Sequence, residues 1–123
     1  MNVELNIFSG NPNPEWNLST NQVSELLTKI SSLNYTERSP VDKGLGYNGF
    51  TILRTEKSAD SQWPKGIEVK DGIIYVYYDN DRYAHLIDPE RTIELWLLNT
   101  APNSVSNMLL KKIENDIKGA KAD

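Results

Sequence analysis

The sequence predicts one α+β domain spanning residues 1–123, with a largely antiparallel sheet of about five strands and three helices. Four of the predicted strands follow one another without a helix between them, which is typical of antiparallel pairing. Apolar residues recur at helical spacing once near the amino terminus and twice near the carboxyl terminus. The chain has 123 residues, 38% of them hydrophobic, and is therefore long enough for one core.

The first third of the chain contains a strand, a loop and a helix in this order. Apolar and polar residues alternate from Met1 to Phe8, as in a half-buried strand. Two prolines within Ser9–Pro14 restrict the backbone and predict a rigid loop. Ser19 and Gln22 match a capping box, so a helix of about 14 residues follows, with a core-facing stripe of Val23, Leu26, Leu27, Ile30 and Leu33.

The middle of the chain places a strand between two polar segments. Residues 34–44 and 56–65 are rich in polar residues and contain proline, so we expect surface loops there. Between them, Gly49–Arg54 has apolar residues on both faces. A strand that is apolar on both faces belongs in the centre of a sheet.

A β-hairpin follows, and it is the strongest short-range signal in the chain. The segments Ile67–Lys70 and Ile73–Tyr78 flank the dipeptide Asp71-Gly72, which readily adopts the positive backbone angles of a tight turn. A second turn at Asp79–Arg82 leads to a further strand at Tyr83–Ile87. We therefore expect a three-stranded meander.

Two helices are predicted at the carboxyl-terminal end. Asp88 as N-cap and Pro89 at the first helical position open the first of them, with Ile93, Trp96, Leu97 and Thr100 on one face. Ser104 provides a second cap, and the last helix ends at Gly119. Its apolar stripe consists of Val105, Met108, Leu109, Ile113 and Ile117.

Composition excludes several classes of function. A chain without cysteine has no disulfides, no thiolate metal site and no cysteine nucleophile. The net charge of −4, with acidic and basic residues interspersed, disfavours nucleic acid as a partner. The first residues lack the pattern of a standard signal peptide and no apolar run reaches about 18 residues, so we expect neither a signal peptide nor a membrane span. A soluble cytoplasmic protein is the default, and export by an unusual route stays open.

Three motifs resemble functional sites but lack the required context. The pattern Gly44-x-Gly46-x-x-Gly49 has dinucleotide-binding spacing, yet it precedes a predicted strand, so we expect a turn or bulge. The segment from Asp79 to Glu90 has calcium-loop spacing but lacks the essential glycine. His85 is the only histidine and has no recognisable nucleophile, which favours a structural role. We therefore predict no metal and no cofactor.

Two short runs resemble those of a family of small uncharacterised bacterial and fungal proteins. The runs are FSGNPNPEWNLS at residues 8–19 and LGYNGF at residues 45–50, which match the family patterns FSGxPNPxW and LGYxGF. The resemblance implies a shared architecture. It brings no established activity.

The first of these runs contains the first candidate binding site. It places planar amides and a carboxylate beside an aromatic ring, which suits a peptide backbone or a polyol; the residues are Asn11, Asn13, Glu15, Trp16 and Asn17. A structural alternative is that the asparagines bond their own loop and the tryptophan packs on the core.

The second candidate is the predicted hairpin, where Tyr75 and Tyr77 share one face. That face either packs under the helices or offers rigid aromatic contacts to a partner. We therefore predict a noncatalytic binding protein that engages another protein through exposed loops and an aromatic sheet face. The alternative is a carbohydrate-binding module that uses Trp16 or Trp63 and the loop asparagines. An enzyme is the third reading, and the oligomeric state stays open.

Overall fold

The computed structural model describes residues 1–8, 10–40, 46–55 and 63–122. These residues form a single α+β domain with one seven-stranded antiparallel sheet and three helices, so the predicted fold class is confirmed. The strands, numbered along the chain, are β1 (Asn2–Phe8), β2 (Glu15–Asn17), β3 (Asn34–Tyr35), β4 (Gly46–Leu53), β5 (Gly66–Lys70), β6 (Ile73–Tyr77) and β7 (Tyr83–Ile87). The helices are α1 (Thr20–Ser31), α2 (Thr92–Asn99) and α3 (Asn107–Ala122).

The core lies between one face of the sheet and the three helices. Strands contribute every second residue, and these are almost fully buried: Val3, Leu5, Phe50, Ile52, Ile67, Val69, Ile74 and Val76. Helices contribute Val23, Leu26, Ile93, Leu97, Ile113 and Ile117 to the same cluster. None of the three helices in the described residues covers the opposite face of the sheet, and we call it the open face.

The strand order is β2-β1-β4-β5-β6-β7-β3, which puts β4 between β1 and β5 as predicted for a central strand. The two edge strands were not predicted. They have only three and two residues, too few to show an alternating pattern. Each exists because a longer neighbour pairs with it: β2 lies beside β1, and β3 lies beside β7.

A bulge in β4 accounts for its glycines. Leu5 pairs with Phe50 and Ile7 pairs with Tyr47, so two residues of β4 lie opposite one residue of β1. Gly49 has a φ of 82°, and a Cβ there would lie 2.1 Å from the carbonyl oxygen of Val69. The predicted bulge is therefore present, and β4 begins three residues before the predicted start. Gly44 lies outside the described residues, as do the predicted loop segments 41–44 and 56–62.

The hairpin and the first helix follow their local sequence signals. Asp71 and Gly72 have φ values of 53° and 76°, and two positive angles are typical of a type I′ turn. The Ser19 hydroxyl accepts a hydrogen bond from the amide of Gln22, whose side chain accepts one from the amide of Ser19. The predicted hairpin and capping box are both confirmed.

The second helix begins later than predicted. Its N-cap is Arg91, which has a left-handed φ of 55°, and the first helical residue is Thr92. Asp88 still serves the helix end, because its carboxylate accepts a 2.8 Å hydrogen bond from the amide of Ile93. The prediction of Asp88 as N-cap and Pro89 as first helical residue is therefore wrong.

The third helix also differs from its prediction at both ends. It begins at Asn107, so the prediction that Ser104 caps it is wrong. Met108 was expected in the apolar stripe but is 86% exposed. Helix α3 continues past Gly119 to Ala122. Ile113 and Ile117 occupy the predicted core positions. The described part of the chain contains no helix with the length and apolarity needed to cross a membrane.

Candidate functional site

The open face carries two rows of side chains that run across the strands. One row pairs Leu53, Gly66, Tyr77 and Tyr83 in order across β4 to β7. The next row pairs Glu4, Thr51, Glu68, Tyr75 and His85 across β1 to β7. Register alone therefore gathers four rings at one end of the open face, and we call Tyr75, Tyr77, Tyr83 and His85 the aromatic patch.

The rings of the aromatic patch contact one another closely. Tyr75 stacks on Tyr77 with a centroid distance of 5.3 Å and an interplanar angle of 30°. It meets His85 edge-on at 4.9 Å and Tyr83 at 5.8 Å. Ring pairs at these distances stabilise each other by about 0.5–1.5 kcal/mol beyond the area they bury. The patch is therefore held in place before any ligand binds.

The aromatic patch is open to solvent. Tyr83 is 66% exposed and its row neighbour Leu53 is 45% exposed, while Tyr75, Tyr77 and His85 are half-buried. The helices lie on the other face, so the structural alternative, in which the tyrosines pack under the helices, is wrong. Of the sequence-predicted site residues, Tyr75 and Tyr77 are thus placed together on an accessible surface.

A groove of about 320 Å³ begins at the aromatic patch and extends toward β1. Its walls combine polar and aromatic side chains with one proline, namely Asn6, Thr51, Glu68, Lys70, Tyr75, His85 and Pro40. Ile73 also lines the groove and is only 3% exposed. At the polar end, the Asn6 amide donates a 3.0 Å hydrogen bond to the Thr51 hydroxyl. The groove therefore has one aromatic end and one polar end.

Glu68 gives the aromatic patch a negative neighbour. It pairs directly with Tyr75 across the hairpin and projects from the open face, where it is exposed. Burial raises the pKa of the Tyr77 hydroxyl, and the charge of Glu68 raises that pKa further. The Tyr77 phenol is therefore neutral at physiological pH, and it lies near a carboxylate.

Sequence reasoning missed Glu68, Tyr83 and His85 as members of this site, although a signal was available. A two-residue turn at Asp71-Gly72 fixes the hairpin register, and this register puts Glu68 opposite Tyr75. Residues 78–82 join β6 to β7, and the register of that pair puts His85 opposite Tyr75 and Tyr83 opposite Tyr77.

In the loop that forms the first candidate site, Asn13 and Trp16 have structural roles. Asn13 accepts a 2.9 Å hydrogen bond from the amide of Ile7 and donates a 2.8 Å hydrogen bond to Glu4. Both bonds join the loop to β1. Asn13 is therefore structural, as the alternative expected, but its side-chain partners lie in β1 and not in its own loop.

Trp16 is part of the hydrophobic core. It is 6% exposed, its ring meets Phe50 at 6.5 Å, and its indole nitrogen donates a 2.9 Å hydrogen bond to the Thr100 hydroxyl. Buried in this way, Trp16 presents no ring face to a ligand. The ligand-binding role expected for it does not fit its position.

The other loop candidates are exposed but distant from the tyrosines. Asn11, Glu15 and Asn17 are solvent-exposed. Glu15 and Asn17 belong to β2, which is separated from the hairpin strand β6 by β1, β4 and β5, and Asn11 precedes β2. The structure therefore does not bring the two predicted sites together. Trp63, the other ring proposed for a sugar, is half-buried against the core and lines a separate cavity of about 480 Å³ with Asn17.

A buried polar network was also missed. Glu94 is fully buried, and its carboxylate accepts hydrogen bonds from Arg91, from the Tyr47 hydroxyl and from the amide of Gly72. The hydrogen bond to Glu94 raises the pKa of Arg91. Every buried side-chain polar atom of this network has a hydrogen-bond partner. We therefore interpret the network as a structural clamp between β4, the hairpin turn and α2.

No grouping of three or more metal-ligating side chains exists among residues 1–8, 10–40, 46–55 and 63–122. Asp79, considered above as a calcium ligand, forms a bidentate pair with Arg54 at 2.6 and 2.8 Å. Comparison of the chain with protein-family models, with curated proteins and with solved structures found no match. The resemblance carried by the two short runs therefore stays a prediction.

Proposed function

We propose that this protein is a noncatalytic binding domain whose open face contacts another protein. The observation that carries the proposal is the aromatic patch, which is preorganised and accessible on the sheet face that none of the three described helices covers. Tyrosine is enriched at protein interfaces because it combines a large apolar area with a hydroxyl group and loses little rotamer freedom.

The surroundings of the patch support a protein partner. Interfaces combine an aromatic centre with a polar rim. Here Leu53 extends the apolar surface in the row of Tyr77. Thr51 and Glu68 are the polar members of the adjacent row, which contains Tyr75. A binding surface of this composition spans four strands, which is broader than a single small ligand requires.

Carbohydrate binding is the second candidate, and one observation favours it. Trp63 and Asn17 line the same cavity of about 480 Å³ near α1, so one aromatic ring and one loop amide are close enough to share a ligand. Trp16 does not contribute, because it is buried.

Affinity capture with matched variants separates the two proposals. The immobilised wild type is compared with a double variant, Tyr75→Ala/Tyr77→Ala, and with Tyr83→Ala, whose exposed ring is unnecessary for the core. Tyr35→Ala is the control, because Tyr35 is 81% exposed and pairs with the core-facing residue Leu86. The same proteins are applied to a glycan array.

A protein captured by the wild type and by Tyr35→Ala, but lost from both patch variants, supports the proposed function. Direct binding of that purified protein confirms the contact. Capture that is equal for all variants contradicts a role for the open face. Glycan signals that Trp63→Ala removes, without any patch-dependent protein, favour the carbohydrate alternative.

A further inference from the structure

We infer that the groove beside the aromatic patch receives a positively charged side chain of the partner, an arginine or a lysine, between Glu68 and the ring of Tyr75. The inference rests on the proposed function and specifies the chemistry of the partner.

The first argument is the position of the Glu68 carboxylate. Glu68 and Tyr75 are direct cross-strand partners, and both line the groove. Across an antiparallel pair, directly opposed Cβ atoms are about 4.5–5.5 Å apart. A cation in the groove therefore contacts the carboxylate and the tyrosine ring at the same time.

The second argument is the charge of Glu68. Asp79, an exposed carboxylate after the end of β6, has a cationic partner in Arg54. Within the part of the chain that the structure describes, no hydrogen bond or ion pair occupies Glu68. Its charge is therefore available to an incoming group.

The third argument is the aromatic lining. The faces of tyrosine rings carry negative electrostatic potential, so they attract cations. Tyr75 and Tyr77 are already stacked, and His85 supports Tyr75 from its edge. A carboxylate with adjacent fixed rings recognises a guanidinium or ammonium group by charge and by stacking together.

The groove is not uniformly acidic, because Lys70 also lines it. Lys70 lies two residues from Glu68 on the same face of β5, toward the hairpin turn. The inferred cation site therefore lies at the Glu68 and Tyr75 end of the groove, away from the turn. The net charge of −4 of the whole chain favours the approach of a basic partner.

The test uses a short arginine-rich peptide with blocked ends and the same peptide with citrulline in place of each arginine, which keeps the shape and removes the charge. Binding is followed by NMR of the tyrosine rings in the wild type, in Glu68→Gln and in the control Glu25→Gln. Glu25 is exposed on α1, on the helix side of the sheet, so both variants lose one charge.

We expect the arginine peptide to shift the Tyr75 resonances and to bind Glu25→Gln as it binds the wild type. Glu68→Gln should bind about tenfold more weakly, and the citrulline peptide should lose a similar factor. Equal binding of both peptides, equal binding by Glu68→Gln, or no shift of Tyr75 overturns the inference. If the captured protein partner depends on the tyrosines but not on Glu68, the proposed function stands and the inferred cation site fails.

Discussion

The ring of Tyr77 lies across the backbone of Gly66, its partner on the neighbouring strand. A Cβ atom at position 66 would lie 2.2 Å from both Cζ and the hydroxyl oxygen of Tyr77. Glycine at this position therefore lets the tyrosine lie flat along the sheet, where it stacks on Tyr75. The shape of the aromatic patch therefore depends on the lack of a side chain at position 66.

Gly66→Ala should displace the Tyr77 ring and leave the fold intact. The obstructing atoms are the far end of a side chain that can rotate, so we expect a loss of at most about 1 kcal/mol of unfolding free energy. NMR of the tyrosine rings should show a changed Tyr77 environment and a weaker Tyr75–Tyr77 contact. Gly119→Ala is the control, because nothing lies within 4 Å of a Cβ there. Unchanged Tyr77 resonances in Gly66→Ala would show that the ring does not lie over residue 66.

Glu94→Gln should destabilise the protein severely. The substitution removes the closer of the two charged partners of the buried Arg91 and leaves only Asp71 at 3.8 Å. Breaking a buried ion pair costs about 3–5 kcal/mol. Tyr47→Phe removes only the 2.5 Å hydrogen bond to Glu94 and should cost about 1–3 kcal/mol. Urea unfolding measures both variants. Glu25→Gln, at an exposed position, should have a free energy of unfolding within about 0.5 kcal/mol of the wild-type value. A Glu94→Gln variant as stable as Glu25→Gln would contradict the clamp.

Alkaline pH should destabilise the fold through Tyr47. Burial, first, and the charge of Glu94, second, raise the pKa of the Tyr47 hydroxyl far above its ordinary value. A raised pKa in the folded state means that stability is complete below the unfolded value of about 10 and falls as the pH rises above it. The free energy of unfolding is measured between pH 8 and 12, about two units either side of that value. It should fall less steeply with rising pH in Tyr47→Phe than in the wild type. Parallel curves for the two proteins would refute this origin of the pH dependence.

Asn13→Ala and Asn11→Ala should differ in stability although they change neighbouring residues of one type. Asn13 makes two hydrogen bonds to β1, so its loss should cost about 1–3 kcal/mol. Asn11 is exposed, and its loss should be nearly neutral. Thermal unfolding of the two variants checks the difference. Equal melting temperatures would mean that Asn13 does not join the loop to the sheet.

Local chemistry explains which features were predictable. The capping box at Ser19 and the turn at Asp71-Gly72 are determined within a few residues, and both formed as predicted. By contrast, Trp16 is fixed by Thr100, which lies 84 residues away in the sequence. The short strand that contains Trp16 exists because β1 pairs with it. The local pattern of residues in the sequence does not indicate such contacts between distant residues.

The candidate site likewise has features that the local sequence predicts and features that it does not. The shared face of Tyr75 and Tyr77 follows from strand alternation, and the neighbours Glu68 and His85 follow from hairpin register. The exposure of that face does not follow, because it depends on which side the helices cover. The left-handed Arg91 and its bond to Glu94 likewise depend on how α2 meets the hairpin turn.

The affinity of the captured protein partner for the patch variants tests the central claim most directly. Isothermal titration should give equal dissociation constants for the wild type and Tyr35→Ala. Tyr75→Ala/Tyr77→Ala, checked for folding by circular dichroism, should bind at least about 30-fold more weakly, because an interface hot spot contributes about 2 kcal/mol or more. A folded double variant that binds the partner with the wild-type dissociation constant would contradict the account.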